Sequence, residues 1–322
     1  MSTSDELVVR YASYIKDKVV ITTGVSPGSL GAHFVQSVAK AHPAWIILAS
    51  RDLKKAQQTQ EVIAASSPNV KTRIVQLDLE SLQSVRDAAA AVNSWSDIPV
   101  VDVLVNNAGM LAETYGVTVD GFERSFATNH LGHFLFTNLI INKVLASNAP
   151  RIVNVSSESH RLSPIRFGDY NFSGGKTYNA VVAYGQAKTA NMLMTISLAK
   201  KLGQRGLLSF SLHPGVIFTN ASTNIDIKAI FSEVRNVDRK LGNKEGFEDD
   251  SASKVLSVEK GTATHVYAAF DPDLKGHNGA YLLNCRVADP LTDPVKPWAT
   301  SPFEAEKLWR LSEDLVGQKF SY

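Results

Sequence analysis

The chain of 322 residues is short of several things, and each shortage excludes a class of protein. Cys285 is its only cysteine, so no intrachain disulfide and no cysteine-based zinc cluster can form. Charge of one sign is scarce: 33 basic against 31 acidic side chains leave a net charge of +2, with no basic block. Nucleic acid and anionic membranes are therefore poor expectations as main partners. No apolar run approaches the roughly 18 residues that suggest a transmembrane segment. The opening stretch, MSTSDELVVRYASYIKDK, lacks the apolar core of a signal peptide, so a cytoplasmic protein is expected, or one resting on a membrane surface. No repeat, low-complexity tract or linker rich in Pro, Gly or Ser divides the chain, and residues 1–322 read as one domain. Apolar side chains are plentiful at 44%, enough for a sizeable core.

Buried-strand patterns alternate with helical ones. Strands are expected at Lys18–Thr23, Trp45–Ser50, Arg73–Leu77, Val100–Val105, Arg151–Val155, Leu207–Leu212 and Gly279–Asn284. Helices are expected to about Lys40 after the first strand, then at Leu53–Ser66, Ser81–Trp95, Val119–Ser147, Val181–Gln204, Val258–Phe270 and Pro302 to about Leu315. Such alternation implies a parallel α/β sheet of about seven strands with helices on both faces, and ligands beyond the carboxyl ends of the strands. The segments 158–180 and 220–255 read as loops or a cap on the substrate side, and 302–322 as a terminal helix.

The unusual residues fall at those strand ends. Gly24, Ser26, Gly28, Leu30 and Gly31 lie in a glycine-rich turn between the first strand and a helix start, where backbone amides can face a phosphate. Ser50 and Arg51 end the second strand, and an arginine there favours NADP(H) over NAD(H). Asp52 follows; its alternative role is to cap the next helix. Asn106-Asn107-Ala108-Gly109 follows the fourth strand and Ser156-Ser157 the fifth. His130 and His133 lack a partner at metal-ligand spacing, and no metal is expected.

Tyr184 and Lys188 lie one helical turn apart, on the same face. A fixed ammonium beside a phenol favours the phenolate, so the tyrosine pKa is expected to fall from about 10, allowing proton transfer near neutrality. Spacing alone is weak: Tyr14 and Lys18 repeat it just ahead of the first strand, on no obvious helix, and read as surface.

Taken in order, Thr23-Gly24 with the glycine turn, Asp78-Leu79, Asn106 to Gly109, Asn129, Arg151 to Ser157, Tyr184-x-x-x-Lys188 and Pro214-Gly215 resemble the short-chain dehydrogenase/reductase family across about residues 17 to 290. Ala49 to Asp52, Ser156 to His160 and Ala305 to Trp309 are similar to its retinol-dehydrogenase-like and WW-domain-oxidoreductase-like branch. The resemblance implies a single Rossmann-type domain that interconverts a carbonyl and an alcohol with NADP(H). Tyr184 would exchange the proton and Lys188 would lower its pKa and hold the nicotinamide ribose. Ser157 would hold the substrate oxygen, with Ser156 the alternative. Asn129 would support a proton-relaying water. Asn106, Ala108 and Gly109 would line the cofactor, and Asp78 with Leu79 would meet the adenine, unless Asp78 caps a helix. Pro214, Gly215, Val216 and Thr219 would flank the nicotinamide.

The implied substrate is a small apolar alcohol or carbonyl compound, such as a retinoid, steroid or polyketide. Pairing through the helices carrying Asn129 and Tyr184 would give a homodimer, unless the helix from Pro302 blocks it or caps the pocket. The glycine turn has one residue more than the family pattern, between Gly28 and Gly31. The competing expectation is a catalytically silent NADP(H)-binding regulator of the same fold. Dehydration or epimerisation of a sugar nucleotide is disfavoured, because no large C-terminal substrate domain is visible.

Overall fold

A computed structural model describes residues 2–217, 226–243 and 255–322. The strands are β1 (Val19–Thr23), β2 (Trp45–Ser50), β3 (Lys71–Gln76), β4 (Val103–Asn106), β5 (Arg151–Val155), β6 (Leu208–His213), β7 (Tyr281–Leu283) and β8 (Arg286–Val287). They form one sheet in the order β3-β2-β1-β4-β5-β6-β7-β8. All neighbours run parallel except β7 and β8. The order reverses between β1 and β4, which opens a crevice at their carboxyl ends. The added strand β8 follows a two-residue turn in which Asn284 and Cys285 both take positive φ, the geometry of a tight hairpin.

Helices α1 (Ser4–Arg10), α2 (Ala12–Ile15), α3 (Leu30–Ala39), α4 (Leu53–Ser66), α5 (Leu82–Ser94), α6 (Arg124–Phe126), α7 (Gly132–Leu139), α8 (Ile141–Leu145), α9 (Ala180–Leu202), α10 (Ile227–Lys240), α11 (Val258–Phe270), α12 (Pro297–Thr300) and α13 (Pro302–Val316) complete the described fold. Successive strand residues feed opposite cores, as the two-residue period requires. Ile21, Ile47, Leu104 and Ile152 join α5, α7, α9 and α13 on one face. Val20, Ile46, Val105 and Val153 join α1, α3, α4 and α11 on the other. None of the described helices is long and apolar enough to cross a membrane.

Three expectations are corrected. The first residues are helical: Thr3 and Glu6 form a capping box, and Leu7, Val8, Tyr11 and Ile15 enter the core. Tyr14 lies on α2 but stays exposed. The single helix expected over 119–147 starts at Arg124, where the Glu123 carboxylate accepts the amides of Ser125 and Phe126, both at 2.8 Å. The residues before it turn at Gly121 (φ 83°) into a bridge between Val117 and Glu123. That helix also widens into a π-turn at Ala127–Leu131 and breaks at Ile140. Third, residues 158–180 carry short 3-10 turns at Glu158–Leu162 and Phe172–Gly175.

The C-terminal helix α13 lies against α7 and α9, and none of its residues lines the crevice. Trp309 meets Phe134 edge-on at 4.9 Å, and Ser197 donates to the Ala305 carbonyl at 3.0 Å. Part of the helix surface through which pairing was expected is thus covered by the chain itself. Of the expected cap at 220–255, α10 is described; Thr219 and residues 220–225 and 244–254 lie outside the described residues.

Candidate active site

The crevice is a cavity of about 790 Å³ at the carboxyl ends of β1, β2, β4, β5 and β6. Gly24, with φ 72°, begins its floor, and a Cβ there would lie 2.7 Å from the Ala108 Cα, so only glycine lets the two loops meet. Ser29 caps α3: its hydroxyl accepts from Ala32 N and donates to the Gly24 carbonyl, which shapes the turn. Gly24, Ser26 and Leu30 line the cavity. Gly28 and Gly31 do not: Gly28 is exposed, and Gly31 supports the turn from below, where a Cβ would sit 2.5 Å from the Gly24 oxygen.

At the end of β2, Ser50 and Arg51 line the same cavity. Asp52 takes the alternative role and caps α4, accepting from Lys55 N at 3.1 Å. Lys55 and Gln58, which sequence reasoning missed, also reach the cavity. Lys55 stands one turn after Arg51, a spacing that was visible but unweighed. Asp78 and Leu79 line it too; Asp78 Oδ1 accepts from Glu80 N, while Ser81 is the cap of α5.

Of the Asn106–Gly109 stretch, Asn107, Ala108 and Gly109 line the cavity and Asn106 does not. This departs from the expectation. The Asn106 amide turns into the core and donates to Asn154 Oδ1 at 2.8 Å and Thr137 Oγ1 at 3.0 Å, joining β4 to β5 and α7. Asn129 is fully buried behind the wall: its amide donates to Met110 O and Ser125 O and accepts from Met110 N. A Cβ on Gly109 would strike Asn129 Oδ1 at 2.5 Å and approach Lys188 Nζ at 3.3 Å, so the loop passes between the two side chains.

Helix α9 brings Tyr184 and Lys188 to the opposite wall, with Ser156 and Ser157 from the end of β5. Ser157 stands beside the Tyr184 phenol on the cavity wall, its hydroxyl donating to Ser159 Oγ at 3.3 Å and accepting from Ser159 N at 3.1 Å. Ser156 has a structural bond instead, donating to the Lys188 carbonyl at 2.7 Å. Gly185 makes the encounter possible. A Cβ there would lie 2.7 Å from the Ser159 oxygen, so the loop after Ser157 settles directly on α9. Gln186 fastens that loop, accepting from Arg166 N and donating to Tyr170 O, and Thr189 Oγ1 bonds the Ser163 carbonyl.

Lys188 is almost wholly buried and donates to the Val155 carbonyl at 2.9 Å, with Nζ 5.3 Å from the Tyr184 ring centre. Its burial pushes the ammonium down to about 7. The Tyr184 phenol, crowded by protein atoms, is pushed up to about 12, with the neighbouring Ser157 hydroxyl acting the other way. The expected lowering is thus reversed. Desolvation outweighs the neighbour, because a lysine that is itself poorly solvated offers little charge.

Pro214 and Gly215 line the cavity and Val216 does not; Val216 bridges to Val255. Ile217, Met110, Thr128 and Glu80 add to the lining. His213 also borders it, 4.0 Å from Glu158. His130 and His133 are buried and bonded to Ser312 and Thr23.

Residues 18–229 match the family described as short chain dehydrogenase. The chain is 35% identical over 308 residues to the short-chain dehydrogenase/reductase prx1 of Penicillium rubens, covering 92% of this chain and 84% of that protein. It is 31% identical over 307 residues to mouse retinol dehydrogenase 12, covering 94% and 87%. Among solved structures, an uncharacterised protein from Mycobacterium paratuberculosis superposes with a TM-score of 0.69 at 29% identity, covering 97% and 98%.

Proposed function

The chain belongs to the short-chain dehydrogenase family, and from that premise we propose that it uses NADP(H) to reduce an apolar ketone or aldehyde, and to oxidise the matching alcohol. Oxidoreductase action between alcohol and carbonyl, with a nicotinamide cofactor, comes with the family. The choice of phosphate-bearing cofactor, the substrate class and the residue roles are our reading. The observation that carries it is the meeting of Tyr184, Ser157 and Lys188 on the wall of the cavity whose floor is the Gly24 turn.

The donor set fits the cofactor. Gly24 and Ala108 leave backbone rather than side chain against the floor, the start of α3 faces the cavity, and Arg51 with Lys55 stands where a ribose phosphate would lie. A bound nicotinamide supplies or takes the hydride. Ser157 holds the substrate oxygen by its hydroxyl. The Tyr184 phenol donates its proton to that oxygen as charge develops there during reduction, and its oxygen recovers a proton by way of the buried Lys188 amine. With its pKa near 12 the phenol is protonated at neutral pH and carries the proton that reduction requires. Met110, Pro214 and Ile217 give the substrate end an apolar lining, in keeping with the retinoid named in one relative. The covering of α7 and α9 by α13 favours a monomer over the expected dimer.

The test is NADPH oxidation with a panel of lipophilic ketones and aldehydes, by the parent and Tyr184→Phe. Turnover by the parent and a fall of about 10²–10⁴-fold in kcat for the variant are expected of a lost general acid. Tight NADPH binding without turnover of any panel member would instead mark a silent binder.

A further inference from the structure

His133 is buried on α7, outside the cavity, yet it touches two parts of the cavity's frame and through one of them a third. Its Nε2 lies 2.8 Å from Thr23 Oγ1 and its Nδ1 lies 3.1 Å from the Asn129 carbonyl oxygen. Thr23 Oγ1 also accepts the backbone amides of Asn107 at 3.0 Å and Ala108 at 2.9 Å. A hydroxyl has two lone pairs and one proton. Both lone pairs are used by the amides, so the remaining contact must be the hydroxyl proton given to His133 Nε2. The imidazole proton therefore sits on Nδ1, where it is donated to the Asn129 carbonyl. The count closes with no group left over.

The joint lies where the cleft is narrowest. Thr23 ends β1 and is followed by Gly24, whose missing Cβ admits Ala108. Asn107 Nδ2 adds bonds to the Thr23 and Gly24 carbonyls at 2.9 and 3.2 Å. The carbonyl held by Nδ1 belongs to the π-turn that carries Asn129, whose side chain clamps Met110. Of the titratable groups around this imidazole, Lys188 lowers its pKa, and the neighbouring His130 is itself held neutral by burial. Burial is the larger cause, and it keeps His133 neutral down to about 4.

We propose that His133 is a positioning residue for cofactor binding: its neutral Nδ1–H ring fixes the Thr23 hydroxyl, and through it sets the gap between the Gly24 turn and the Asn107–Ala108 loop. This rests on the reading of the cleft as the NADP(H) site. In His133→Phe the Thr23 proton has no acceptor and the Asn129 carbonyl loses a donor. His133→Gln offers one acceptor and one donor in place of the ring's two nitrogens.

Four measurements test the proposal. In the ligand-free protein, nitrogen chemical shifts of the His133 ring should show the Nδ1–H form, and amide exchange at Asn107 and Ala108 should quicken in His133→Phe. NADPH titration should show Kd raised about tenfold or more in His133→Phe, the loss expected of one orphaned buried group, with most of it restored in His133→Gln. KM for NADPH should rise while kcat changes little. Thr23→Val, which also strips the acceptor from the Asn107 and Ala108 amides, should raise Kd at least as far as His133→Phe, and adding His133→Phe to it should raise Kd no further, which also judges the proposal if His133→Phe does not fold. An Nε2–H ring, unchanged exchange at residues 107 and 108, or Kd in both single variants within twofold of the parent would overturn it. Failure of the parent to bind NADPH would overturn the cofactor reading instead, leaving tautomer and exchange to judge His133 in the empty protein.

Discussion

Gly185→Ala separates the stability of the fold from the geometry of the proposed chemistry. The added Cβ would lie 2.7 Å from the Ser159 oxygen and 3.2 Å from both Leu162 Cβ and Ser163 N. Backbone cannot swing aside as a long side chain can. The loop must lift by several tenths of an ångström, against the bonds from Gln186 and Thr189. Overpacking of this kind costs about 1–3 kcal/mol, and exchanging glycine for alanine inside a helix returns about 1 kcal/mol. The net loss of stability is then about 0–2 kcal/mol, and the variant should fold. Its kcat should fall much further. Ser157 leads into the lifted loop and stands beside Tyr184 on the cavity wall, where a misplacement of several tenths of an ångström costs up to about 10²-fold. The assay is steady-state NADPH oxidation beside urea unfolding, with cofactor Kd expected unchanged. A folded variant with kcat within threefold of the parent would show that loop placement over Gly185 does not govern the chemistry.

Other outcomes follow from the same structure. With the Tyr184 phenol near 12, reduction should hold its rate from neutral pH into the alkaline range, while alcohol oxidation should keep rising with pH as the phenolate forms; pH–rate profiles in both directions check this, and opposite trends would refute it. Burial holds His130 at about 3 and His133, His160 and His265 at about 4, so between about 6.5 and 4 only the unfolded chain takes up these protons. Stability should therefore be lost as pH falls through that window, by about 1.4 kcal/mol per pH unit for each histidine, and His265→Leu should flatten the slope by one proton in urea titrations. Arg51→Ala should raise KM for NADPH about tenfold and leave KM for NADH nearly unchanged; equal shifts for the two cofactors would remove Arg51 from phosphate recognition.

Periodicity along the chain determined most of the architecture by itself. The buried strands β2 and β5 and the helices α4 and α11 were readable to the residue, because apolar runs, caps and turns are local signals. The ordered motifs likewise marked Tyr184, Lys188, Ser157 and the Gly24 turn, since strand ends in a parallel sheet face one crevice whatever lies between them. Tertiary structure decided the rest. Whether Asn106 or Asn107 meets the cleft depends on which way a side chain leaves a strand end, and Asn154 and Thr137 settle that from distant parts of the chain. The docking of α13 on α7 and α9 and the core-facing helix at the N-terminus rest on contacts far apart in sequence. The Tyr184 and Lys188 pKa values go the same way. Spacing speaks of a neighbouring charge, but only the packed surroundings reveal how little water is left to sustain it.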